Sequence, residues 1–170
     1  MVDATKFKPK TVYVTYIAAP AEKVWQALTD PQTIKKFWFG MTAECDWKPG
    51  SPWRLKFEDG RMADTGEVLE AVPPKRLVLK WRNEFKPELK AEGYSRCTME
   101  IEMADYYPDF GGKAVKLTIT HELEGEGTKF IEGVSGGWPK VLSNLKSLLE
   151  IGDVAFTTKA SQSKSAGLKG

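Results

Sequence analysis

The sequence predicts one α+β domain, a curved antiparallel sheet of about six or seven strands gripping a long C-terminal helix. Three observations carry this prediction. From about Met41 onward, apolar and polar residues alternate in successive short runs parted by turn residues, the pattern of an antiparallel sheet with one buried face. Near the end, Val134, Trp138, Val141, Leu142, Leu145, Leu148 and Leu149 recur at three- and four-residue spacing, the stripe of an amphipathic helix that can cover that face. The chain has 170 residues, 41% of them hydrophobic, with no internal repeat, which suits a single ordinary core.

Lys10 to Ile17 (KTVYVTYI) is β-branched and aromatic, as a first strand should be. In the following AAPAEKVWQALTD, Pro20 suits a helix start and Glu22 its positive end, while Val24, Trp25 and Leu28 make an apolar stripe. Asp30-Pro31 closes this helix and opens a shorter one, capped by Asp30 and carrying Ile34, Phe37 and Trp38. Met41 to Trp47 reads as a strand ended by the Lys48-Pro49-Gly50 turn. Trp53, Leu55 and Phe57 alternate with Arg54, Lys56 and Glu58, and Glu58-Asp59-Gly60 turns the chain into a strand over Met62 to Val72. After Pro73-Pro74-Lys75, Leu77, Leu79 and Trp81 alternate with Val78, Lys80 and Arg82. Asn83 to Gly93 reads as a polar loop. Cys97, Met99, Ile101 and Met103 then alternate with Thr98, Glu100 and Glu102. Beyond the aromatic hairpin Asp105 to Gly112, Val115, Leu117, Ile119 and His121 alternate with Lys116, Thr118 and Thr120. Gly152 marks the end of the last helix, and Pro139, after Gly136-Gly137, predicts a kink or a weak first turn.

Charge excludes more than it suggests. The net charge is +2, but the tail from Thr157 to Gly170 holds Lys159, Lys164 and Lys169 and no acid. Setting those three aside leaves 22 of the 25 cations against 23 acids, so residues 1–156 are nearly neutral and the surplus lies on a Ser/Lys/Ala/Gly segment expected to be disordered. That is a poor footprint for nucleic acid. No apolar run reaches the roughly 20 residues of a membrane span, and Met1 to Lys10 lacks the pattern of a signal peptide, so a cytoplasmic protein is the expectation. Cys45 and Cys97 fall in separate strands outside any metal-ligand spacing, and with one histidine the chain is short of zinc ligands. Neither a metal nor a cofactor is expected.

Strand, two helices, strand meander and long final helix is the order of a helix-grip fold. Ala19-Pro20, Val24-Trp25, Ala27-Leu28 and Thr29-Asp30-Pro31 resemble the opening of START-like (SRPBCC) domains, in particular the branch related to the activator of the heat-shock-protein-90 ATPase. Three more stretches are similar to that branch: Gly66 to Glu70 with Pro73 to Leu77, Leu117 to His121, and Gly137 to Lys146. The resemblance runs from about Thr11 to Gly152. It implies a cavity between sheet and final helix that takes a small apolar ligand, and a role near chaperones and the stress response. The loop Asn83 to Gly93 and the hairpin Asp105 to Gly112 look longer than the family's turns, and the co-chaperone's second domain has no counterpart, so its particular activity is not implied.

The large residues expected to face the cavity are Trp53, Leu55, Phe57, Leu79, Trp81 and Met99, with Ile101, Leu117 and Ile119 beyond them. Trp38 would stand at the mouth, and Trp138 and Leu142 belong to the covering helix. Dense packing of the same side chains is the competing reading, because interiors fill their space. His121, placed inward by alternation, is the one candidate to orient a ligand or act as acid or base. The alternative is a core histidine bonded to a backbone group; the Tyr94–Arg96 stretch, Glu100 or Glu102 could offer partners, though the two glutamates alternate outward. The serines lack a second candidate base, and Gly136-Gly137 lacks the ending of a phosphate loop. Function therefore reads as non-catalytic binding of a small apolar or amphipathic ligand. A protein-interaction module, with a chaperone as partner and Trp47, Tyr106, Tyr107 and Phe110 as its surface, is the alternative, and an enzyme using His121 comes third.

Overall fold

The computed structural model describes residues 10–107 and 112–158. Strand β1 (Lys10–Ile17) leads into helices α1 (Ala21–Thr29) and α2 (Pro31–Phe37). Strands β2 (Thr42–Cys45), β3 (Pro52–Lys56), β4 (Met62–Val72) and β5 (Arg76–Asn83) follow, then a short helix α3 (Pro87–Lys90). Strands β6 (Ser95–Tyr107) and β7 (Gly112–Leu123) complete the sheet, and helix α4 (Lys129–Ile151) closes the fold. The seven strands lie in the order β1-β7-β6-β5-β4-β3-β2, every neighbouring pair antiparallel. This is the expected helix-grip arrangement, with the two helices after the first strand and the long one across the concave face.

Local chemistry explains the turning points. Asp30 both ends α1 and caps α2, its carboxylate accepting from the Thr33 amide at 2.8 Å and the Thr33 hydroxyl at 2.6 Å. Pro31 in the first helical position gives up no hydrogen bond there. The inward rows are those that alternation selects: Leu77, Leu79 and Trp81 on β5, Cys97, Met99 and Ile101 on β6, and Val115, Leu117 and Ile119 on β7 are all buried. Phe130, Trp138, Val141, Leu142 and Leu145 of α4 meet them in one core. Each such side chain, fully buried, contributes about 1.5–3 kcal/mol. Alternation breaks at Val78 and Thr98, which are buried on the other face, and at Met103, which is 52% exposed where β6 runs past the core.

Two stretches differ from the sequence reading. Helix α4 is one element from Lys129 through Pro139, starting a turn earlier than the apolar stripe suggests. The reason lies in a carboxylate from elsewhere: Glu92 accepts from the amides of Lys129 (3.0 Å) and Phe130 (2.8 Å), capping a helix whose own Thr128 makes no side-chain cap. Segment 83–93 is no plain polar loop, since it folds α3 against α4 and half-buries Leu89. Phe110 and residues 159–170 lie outside the described residues, as do the side chains of Tyr106 and Tyr107.

Candidate functional site: an aromatic cleft under the last helix

Four tryptophans from four elements meet beneath the first half of α4. Trp81 of β5 is the hub, with ring centroids 4.4 Å from Trp53 of β3, 5.8 Å from Trp38 after α2, and 5.8 Å from Trp138 of α4. Trp53 crosses β4 at Gly66 to donate its indole N–H to the Lys80 carbonyl at 2.7 Å. Gly66 makes that crossing feasible: a Cβ there would overlap the Lys80 carbonyl and stand 2.7 Å from the indole nitrogen.

His121 lies behind this cluster, wholly buried. The Trp138 indole N–H donates to its Nε2 at 2.7 Å. An indole nitrogen can only donate, so Nε2 is bare and the imidazole proton sits on Nδ1, 3.0 Å from Ser95 Oγ. Ser95 in turn donates to the Trp81 carbonyl at 3.5 Å. Burial pushes the imidazole down to about 3, so it is neutral near pH 7. With both nitrogens engaged inside the protein, His121 is a satisfied core residue that orients Trp138.

Between segment 81–89 and α4 a cleft of about 220 Å³ remains. Trp81, Phe85 and Leu89 form one wall, Phe130, Val134 and Trp138 the other, and Trp38 completes the lining. Gly133 and Gly137 keep the α4 wall low, and exposed Lys86 stands at the rim. The polar feature is Asp64 of β4, directly opposite Asn83 in the ladder. Its Oδ1 accepts from the Trp81 indole at 3.0 Å and from the Asn83 amide at 3.4 Å. Burial raises its carboxyl to about 6 against those two hydrogen bonds, with the Glu84 charge adding to the rise. Glu84 goes the other way: burial draws it upward, but hydrogen bonds from Lys90, Thr65 and Arg82 outweigh this and hold it at about 2.

Of the residues assigned from sequence to a cavity, Trp38, Trp81 and Trp138 line this cleft. Trp53, Leu55, Leu79 and Met99 border a second space of about 20 Å³, room for little more than one water. Ile101, Leu117, Ile119 and Leu142 are packed in the core, and Phe57 stands apart, half-buried edge-on against Phe85 at 4.8 Å. Sequence reasoning missed Asp64, Asn83, Phe85, Lys86, Leu89 and Phe130. A signal for two of them exists. Asp64 and Asn83 extend the inward rows Gly66-Val68 and Trp81-Leu79, so a polar pair sits in register on an apolar face.

Comparison with known proteins agrees with this architecture. The family described as activator of Hsp90 ATPase homolog 1-like protein matches residues 18–150. The chain belongs to that family. Among solved structures, a protein from Cytophaga hutchinsonii is 30% identical, with a TM-score of 0.63, covering 84% of this chain and 94% of that one. The Aha1 dimer of Colwellia psychrerythraea (22% identical, TM-score 0.64, covering 85% and 98%) and an HSP90 activator from Plasmodium falciparum (24% identical, TM-score 0.63, covering 84% and 96%) share the fold. No curated protein matches the chain. Among the described residues of this family member, no helix is long and apolar enough to cross a membrane, and no group of acidic, histidine and cysteine side chains could hold a metal ion.

Proposed function

We propose that the protein binds a small apolar or amphipathic molecule, without chemistry, in the cleft between its sheet and the first half of α4. The observation that carries this reading is a 220 Å³ aromatic space beside a core otherwise filled to about 20 Å³. Pockets for drug-sized molecules run to about 300–1,000 Å³, so the occupant is small. Binding is favoured over catalysis because His121 spends both ring nitrogens on Ser95 and Trp138. The cavity residues assigned from sequence then divide: the three cleft tryptophans touch the ligand and the remainder support them.

Gly137 offers a clean test, because a Cβ there meets nothing within 4 Å. Leucine at this position would fill the cleft and, by replacing a helical glycine, add about 0.5–1 kcal/mol of stability. Native mass spectrometry of the parent, purified from its own host, should show a small-molecule adduct that Gly137→Leu lacks. A ligand-free parent, with no hit in a screen of apolar compounds, would contradict the reading.

A second reading is a co-chaperone-like module acting in the cytoplasm under stress. The family supports it, and so do Val12, Val14 and Tyr16, exposed by 51%, 42% and 42% along the edge strand β1. Trp47 does not, because it packs against the core. Titration with the host's Hsp90 should then give binding that Val14→Lys weakens; equal affinity in parent and variant would remove this surface from consideration.

A further inference from the structure

Asp64 is an unusual wall for an aromatic cleft. Both hydrogen bonds it receives go to Oδ1, and none among the described residues goes to Oδ2. No buried side-chain oxygen lacks a partner among those residues, so Oδ2 opens on the cleft. Nor has Asp64 a cation within ion-pair distance among the described residues. Lys86, at the cleft rim, places its ammonium 5.6 Å over the Phe85 ring instead. Trp81 and Asn83 thus hold the carboxylate in a fixed pose with one oxygen unspent, in a cleft lined by aromatic side chains of the kind that attract cations.

We infer that the cleft selects a small amine, whose ammonium group pairs with Asp64 Oδ2 while its apolar body lies among Trp38, Trp81, Phe130 and Trp138. This rests on the cleft being a ligand site and specifies what it takes. An ammonium donor gains both a charge-assisted hydrogen bond and the ring faces. A hydroxyl gains only an ordinary hydrogen bond, and a carboxylate is repelled. Ionisation of Asp64 near pH 6 makes the preference depend on pH. Among the described residues, the other charged groups in view are Glu84, which stays ionised, and Lys86 at the rim, while His121 beyond Trp81 remains neutral. Helix α4 presents only Phe130, Val134, Trp138, Val141 and glycine to the cleft, and β3 sets Leu55 opposite Asp64.

Tryptamine, tryptophol and indole-3-acetate share one bicyclic body and differ in the charge of the end group. Calorimetric titration of the full chain at pH 7.5 should find the amine bound roughly tenfold or more tighter than the alcohol, with the acid weakest. The margin should shrink at pH 5, where Asp64 is protonated and the amine is not yet altered. In Asp64→Asn, which keeps an acceptor for Trp81, the amine should fall to the affinity of the alcohol. Equal affinity of amine and alcohol in the parent, a preference for the acid, or an amine preference that survives Asp64→Asn would overturn the amine assignment and leave the cleft standing as an apolar site. Failure of all three compounds to bind would overturn both readings.

Discussion

His121 and Asp64 sit about the same cluster and answer pH in opposite directions. The unfolded chain protonates a histidine at about 6.5, whereas the fold resists that proton until about 3. Stability owed to neutral His121 is therefore complete above pH 6.5 and drains as pH falls toward 3. The imidazole ¹⁵N signals should accordingly keep the Nδ1-protonated pattern from pH 8 to 5; titration near 6.5 would contradict the buried network. Asp64 is held protonated to about 6, where an unfolded aspartate has lost its proton near 3.8. Its penalty on the fold grows from pH 3.8 to 6 and then levels off, at no more than about 3 kcal/mol and less because one oxygen is open to the cleft. Urea unfolding at pH 7.5 should find Asp64→Asn more stable than the parent by about 1–3 kcal/mol, with the gap closing at pH 4. A gap indifferent to pH would show that the carboxyl is well solvated. His121 was legible as inward and in need of partners, and Ser95 falls in the stretch that could supply one. Asp64 was legible only as a lapse, an acid within an apolar row, and it gains meaning once the β4–β5 register sets Asn83 opposite it.

Elements were easier to read than their junctions. Strand rows on β5, β6 and β7 follow from period-two patterning, and the Asp30-Pro31 boundary from capping chemistry, since both are local. The start of α4 is not local: its cap comes from Glu92, 37 and 38 residues upstream of the amides it binds. Glu92→Ala should cost about 1 kcal/mol, the usual worth of a cap, and should speed amide exchange at Lys129, Phe130 and across residues 83–93. Unchanged exchange there would mean that α4 is held by packing alone. Segment 83–93 looked polar because its charges outnumber Phe85 and Leu89, the residues that make it a wall. Gly66 marks the other junction. Gly66→Ala would force the β4–β5 ladder away from Trp53, a loss of roughly 3 kcal/mol by the scale of overpacked sites. Thermal unfolding within a degree of the parent would show that the ladder can yield.

At the scale of the molecule, the sheet and helix were predictable because both are amphipathic and neither can bury its apolar face without the other. The hollow between them was not, because a void is a difference of volumes and the sequence lists only what fills them. Most of the assigned cavity residues serve as packing, and the space lies at one end, where two α4 glycines face an aromatic segment. That geometry is the claim on which the functional reading depends. A crystal structure of the protein purified from its own host tests it most directly: the account predicts electron density of a small molecule among Trp81, Phe130 and Trp138, beside Asp64. Phe130 and Trp81 in direct contact across a closed gap, with α4 drawn onto β5, would contradict it.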